Sequence, residues 1–243
     1  QNADLLMARM IQRLLKETKG QLVSFNGGTK DNAIPRECEA SLIYESDEEA
    51  AKAEELACEL AETYAEELTP AEPDFSCEIS CETNRTAEAI PQDAAKEFIC
   101  AMRLAPNGIQ KRNIKMDGFV VVSLNLGVVR TEEDRIVMIF SPRSSVASLQ
   151  EDTKERLNTL AETFGFTVSH SSEYPGWSFK EDSPVREICK ESYKELFGED
   201  LKIEAIHAGL ECGLFSDAIK GLDAIAIGPT IANCHTPDEY LTL

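Results

Sequence analysis

Basic residues are scarce in this chain. Twenty-four lysines and arginines stand against 44 aspartates and glutamates, a net charge of −20 over 243 residues. Such a balance repels nucleic-acid backbones and anionic membrane surfaces, and excludes partners of both kinds. It does not identify a substrate. Much of the acid falls in runs such as Asp47-Glu48-Glu49 and Glu54-Glu55, which suit the solvated face of a helix. Long apolar runs are also missing: none approaches the ~20 residues a membrane-spanning helix needs, and the opening residues do not read as a signal peptide. Histidine is limited to His170, His207 and His235, and tryptophan to Trp177. Eight cysteines are present, but scattered, with no Cys-x-x-Cys spacing of the zinc-finger kind. Cys77 and Cys81 lie four apart on an expected strand, facing one way but too far apart to bridge easily. Free thiols acting as small core residues in a reducing cytoplasm are the simplest expectation.

What is there has a globular composition, 42% hydrophobic and 28% charged, and enough length for one or two domains. Residues 2–18 carry Leu5, Leu6, Met10, Leu14 and Leu15 on one stripe, which predicts an amphipathic helix with Asn2 as its cap and Gly20 as its stop. Strands are expected at 21–26 and 37–44, separated by a turn at Asn26-Gly27-Gly28-Thr29. A helix follows from Asp47 to Leu68, capped by Ser46, with acids in its first turn and Thr69-Pro70 at its end. Alternation of Phe75, Cys77, Ile79 and Cys81 with polar residues predicts a half-buried strand over 75–81.

A similar order then returns: a helix at 91–104, strands at 119–130 and 135–141, a helix at 148–164 closed by Gly165, and a strand at 166–171. Helix–strand–strand–helix–strand twice over, each half lacking or borrowing one leading strand, suggests two βαββαβ-like halves in a two-layer arrangement. Tyr174-Pro175-Gly176-Trp177 is a break. Beyond it, a helix at 184–197 with Ser183 as cap, a strand at 202–206 and an apolar run at 222–227 predict a sheet covered by helices. The chain begins without Met and enters a helix almost at once, as a piece of a longer protein would.

Four residues could carry chemistry, and each has an ordinary alternative. Neutral imidazole at His235 could ligate a metal, with Asp238 or Glu239 supporting it; a lone histidine is also a common satisfied polar residue. Arg143, after the apolar run 136–140, could grip a carboxylate with both guanidinium arms, or be a surface charge. Asn32 could donate its amide to a peptide carbonyl, or merely occupy a turn. Gly209 could let backbone approach a substrate, or be a plain turn glycine.

Two stretches resemble a known family. His207-Ala208-Gly209-Leu210-Glu211-Cys212-Gly213-Leu214-Phe215, followed by the segment ending His235-Thr236-Pro237-Asp238-Glu239, is similar to the C-terminal signature of the aminoacyl-histidine (Xaa-His) dipeptidases. Residues 25–37, FNGGTKDNAIPRE, and the opening Gln1-Asn2-Ala3-Asp4-Leu5-Leu6 resemble the lid of the same family. The resemblance implies a cytoplasmic di-zinc metallopeptidase whose lid mediates homodimers. It implies a lid or dimerisation domain at 1–174, lacking its first strand, and the C-terminal part of an α/β catalytic domain at 175–243. By the same resemblance, His235 ligates one zinc, Arg143 holds the C-terminal carboxylate of a dipeptide, Asn32 faces its peptide carbonyl, and Gly209 lies along its backbone. His207 and Glu211 are given no ligand role. The family's His-x-Asp, Ala-Asp-Asn-Gly and His-Ser-Gly-Gly motifs do not occur here. One histidine cannot make a hydrolytic zinc site, so this polypeptide is expected to be inactive alone. A non-catalytic dimerisation module derived from the lid is the alternative.

Overall fold

The computed structural model describes residues 1–114, 119–171, 175–177, 179–204, 211–233 and 238–242. The first helix, α1 (Ala3–Glu17), starts where expected: Asn2 Oδ1 accepts from the backbone N–H groups of Asp4 and Leu5 at 3.0 and 3.3 Å. It stops at Glu17, three residues before Gly20. Thr18 is extended, and both its N–H and its hydroxyl donate to the Leu14 carbonyl. Gly20 serves packing instead, because a Cβ there would meet the Tyr44 ring at under 3 Å.

After α1 come β1 (Gln21–Gly27), β2 (Cys38–Ile43), α2 (Asp47–Leu68), α3 (Gln92–Leu104), β3 (Gly108–Arg112), β4 (Val120–Thr131), β5 (Ile136–Ser144) and α4 (Ala147–Phe164). Ser46 caps α2 by accepting from the Glu49 N–H, and Gly165 closes α4 in the left-handed region at φ 69°. Arg9 of α1 ties to α2 by a two-armed ion pair with Glu67, its guanidinium 4.5 Å from the centre of the Tyr64 ring.

The five strands form one antiparallel sheet built around β4. β5 runs along one side of β4; on the other side β3 pairs with its first half and β1 meets it at Gly27↔Val129. Between β3 and β1, the backbone of Leu126 faces no strand. Its N–H donates to Asn107 Oδ1 and its carbonyl accepts from Asn2 Nδ2, both at 2.8 Å. Two asparagine side chains thus complete the ladder where strands do not. One face of the sheet packs under the helices, with Phe25 edge-on to Phe98 at 5.4 Å and Leu22, Leu126 and Val129 sealed beneath α1 and α3.

Several expectations need correction. Residues 75–81 keep the alternation, with Phe75, Cys77 and Ile79 packed on the core, but join no strand ladder. Side-chain period reports burial, not pairing. Residues 166–171 likewise join no strand ladder among the described residues, while β3, too short and polar to stand out, does pair. The seven described cysteines, Cys77 and Cys81 included, are free thiols, as expected.

In the last stretch, α5 (Pro184–Phe197) has its expected Ser183 cap, accepting from the Arg186 N–H, and Asp223 accepts from the Val185 N–H at 3.0 Å. Residues 202–204 and 222–227 are not strands; 205–206 lie outside the described residues. Ile227 is 77% exposed, so an apolar composition alone has not produced a ladder. Between these two stretches lies α6 (Glu211–Ala218), and after them a small hairpin of β6 (Thr230–Ala232) and β7 (Tyr240–Thr242). No described helix is long and apolar enough to cross a membrane.

Candidate functional site

Strand register decides which side chains share a face. Leu126↔Phe140 and Val129↔Met138 point to the helices. By the two-residue period, the pairs Ser123↔Arg143 and Asn125↔Ser141 point to the other face. Arg143 therefore stands one pair, about 7 Å, along that face from Asn125.

Asn32 reaches the same face from a different direction. It is exposed on the 28–33 loop between β1 and β2, and this loop lies directly across β4. Gly28 is left-handed at φ 67°, and a Cβ on it would come within 2.0 Å of the Gly127 carbonyl. A Cβ on Gly127 would strike the Asp31 backbone at 2.4–2.7 Å. Both glycines are there because backbone presses on backbone. Asn125 Nδ2 donates to the carbonyls of Asp31 and Ala33, at 3.0 and 2.7 Å, one on each side of Asn32.

Asn32 and Arg143 consequently line one open groove of about 1540 Å³, together with Ser144, Ser145, Pro175 and Trp177. Arg130 and Arg135 are engaged by Glu132, whereas Arg143 makes no ion pair among the described residues. Residues 132–135 form the hairpin turn between β4 and β5, the Glu132 N–H donating to the Arg135 carbonyl at 2.8 Å. The two arginines hold the Glu132 carboxyl below its usual range through hydrogen bonds.

Contacts continue from this groove to the last stretch. Gly176 lies against the backbone of Ser144 and Ser145, and Gly213 of α6 lies against Pro175 and Trp177. Gly209 and His207 fall in 205–210, just before α6, outside the described residues. His235 is outside them too, on the connection between β6 and β7, whose ends are tied by Asn233 Nδ2 donating to the Asp238 carbonyl at 3.3 Å. No group of three or more His, Cys, Asp or Glu disposed to hold a metal occurs among the described residues. His170 bonds Asn158 at 3.0 Å on the exposed surface, in keeping with a structural role.

The comparisons with known proteins bear on this arrangement. Residues 1–72 match the family described as Peptidase dimerisation domain. The chain is 33% identical, over 244 aligned residues, to the cytosol non-specific dipeptidase of Escherichia coli (strain K12), covering 99% of this chain and 49% of that protein. Its structure is similar to that of the aminoacylhistidine dipeptidase from Vibrio alginolyticus, with a TM-score of 0.84 and 33% identity over 99% of this chain and 49% of the other. The resemblance to the aminoacyl-histidine dipeptidases holds. It runs along nearly the whole chain, which spans about half the length of these dipeptidases. The fold is mixed α/β, as the element order predicted, with its five described main-sheet strands antiparallel.

Sequence reasoning singled out Asn32 and Arg143 as candidates and passed over Asn125, Asn107 and Asp4. Asn125 had a signal: a polar amide two residues before a glycine, inside the apolar run FVVVSLNLGVVR, must find partners when half-buried. Asp4 is buried in the first turn of α1, and neither carboxyl oxygen has a hydrogen-bond partner among the described residues. Burial pushes its pKa up to about 6, the neighbouring Cys38 thiol offsetting part of the rise. Nothing in an amphipathic pattern announces a carboxyl on the buried stripe.

Proposed function

We propose that the chain supplies the lid and part of the substrate seat of a zinc-dependent dipeptidase acting on Xaa-His and similar dipeptides. The observation that carries this is the shared groove, lined both by Arg143, which makes no ion pair among the described residues, and by the exposed Asn32. In this reading residues 1–174 are the lid and 175–243 a C-terminal segment of the catalytic domain. Arg143 takes the terminal carboxylate with its planar fork. Asn32 donates its amide to the carbonyl of the peptide bond, where charge develops during hydrolysis. Gly209 runs beside the substrate backbone.

Zinc enters through the resemblance alone. The described residues gather no donor set for it, and His235 would be one ligand among several. When bound, zinc would polarise the carbonyl and make an attacking water more acidic. This chain's own residues would bind and orient the dipeptide, which is why the chain by itself is proposed to be inactive. A cytoplasmic setting is part of the same reading.

A second reading has its own support, the dimerisation family matched over 1–72. There the sheet serves to pair two copies, without catalysis.

Incubation of the purified chain with zinc and an Xaa-His dipeptide tests the first reading. Weak, saturable binding without turnover is expected, lost in Arg143→Ala and in Asn32→Ala. Turnover at an enzymic rate would refute the inactivity. Binding that ignores both substitutions would refute the seat and leave the dimerisation module.

A further inference from the structure

Asn125 has a geometry that the proposed roles do not use. A carbonyl oxygen can only accept, so a side chain facing two of them must present an amide NH₂. Asn125 does this toward Asp31 and Ala33, the residues flanking Asn32. Beneath the same loop, Gly127 leaves no room for a Cβ, and β4 is bulged between Leu126 and Val128. One strand, β4, thus holds the Asn32 loop from below and carries the register that sets Arg143.

We propose that Asn125 is a positioning residue that clamps the 28–33 loop, so that Asn32 is fixed over the sheet at a set distance from Arg143. The clamp itself is a statement about this chain; its consequence for a dipeptide rests on the function proposed above. Asn125 touches no substrate. It acts through Asn32, whose side chain makes no hydrogen bond among the described residues while the carbonyls on either side are held. An aspartate at 125 would keep the shape, lose both donors and set a carboxylate against two carbonyl oxygens.

Amide hydrogen exchange by NMR on the whole chain tests the clamp without any ligand. The Ala33 N–H, bonded to the Lys30 carbonyl within the loop at 3.3 Å, is the reporter, and Ile99 in α3 the control. Asn125→Asp and Asn125→Ala should each speed exchange at Ala33 about tenfold while Ile99 is unchanged. Unchanged exchange at Ala33 in a folded variant overturns the proposal. Titration with an Xaa-His dipeptide separates positioning from general support. Asn125→Asp should weaken binding about tenfold, and should add nothing in an Asn32→Ala background, because the two act as one unit. An equal loss in both backgrounds overturns positioning. If instead Asn32→Ala and Arg143→Ala leave binding untouched, the dipeptide seat is refuted and the Ala33 exchange result alone decides the clamp.

Discussion

The side-chain amide of Asn2 donates to the carbonyl of Leu126 at 2.8 Å, across 124 residues of sequence. The same residue caps α1 with its oxygen. One asparagine therefore starts the first helix and fills a gap in the central strand. Asn2→Ala removes both and leaves a buried carbonyl without a donor, a loss of about 2–3 kcal/mol. Asn2→Ser keeps the cap alone and should lose about half as much. Urea unfolding of the three proteins measures this; a loss below 1 kcal/mol in the alanine variant would mean that water replaces the Leu126 bond.

Asp4 makes stability depend on pH in an unusual direction. Its folded pKa of about 6 lies above the ordinary aspartate value, so the folded state holds the proton more tightly. Stability from this group is complete at and below pH 4 and falls as pH rises through 6, by about 3 kcal/mol in all. Asn at position 4 stays neutral throughout. Asp4→Asn should raise the melting temperature at pH 7.5, and its advantage should vanish by pH 4. An advantage that persists unchanged at pH 4 would show that shape, and not charge, is responsible.

How much of this was legible in the sequence follows from what each signal measures. The caps at Asn2, Ser46 and Ser183 and the stop at Gly165 are local chemistry and were readable. The bounds of α2 were readable for the same reason. Residues 75–81, 166–171 and 222–227 misled, because alternation and apolar content report burial, whereas a strand needs a neighbour that sequence does not display. The two groove residues came from resemblance; the β4–β5 register places Arg143, and the bonds from Asn125 place the Asn32 loop on the same face. Asn125 was legible in type, as a polar residue inside a strand, but its partners lie more than 90 residues away.

Gly127 should be intolerant of substitution in a way that Gly108 is not. A Cβ at 127 meets the Asp31 backbone at 2.4 Å, so the loop itself must move. Gly108 is left-handed at φ 79° with open space around it. Gly108→Ala should cost about 1 kcal/mol, from backbone conformation alone. Gly127→Ala should cost about 1–3 kcal/mol and also displace Asn32. Thermal unfolding, with NMR shifts of residues 29–33, distinguishes the two; an undisturbed loop in Gly127→Ala would contradict the packing.

Arg143 offers the sharpest test of the proposed seat, because a guanidinium and an ammonium differ in geometry at equal charge. A two-armed grip on a carboxylate is lost in Arg143→Lys, though attraction remains, so dipeptide affinity should fall about tenfold. Arg143→Ala should lose more. The substrate can be varied in parallel: a dipeptide with its C-terminal carboxylate converted to an amide should bind the unaltered chain as weakly as the free acid binds Arg143→Ala. Combining the amidated ligand with the alanine variant should bring no further loss, since both remove the same contact. If the amide binds the unaltered chain as well as the acid does, Arg143 serves the groove in some way other than by holding a carboxylate.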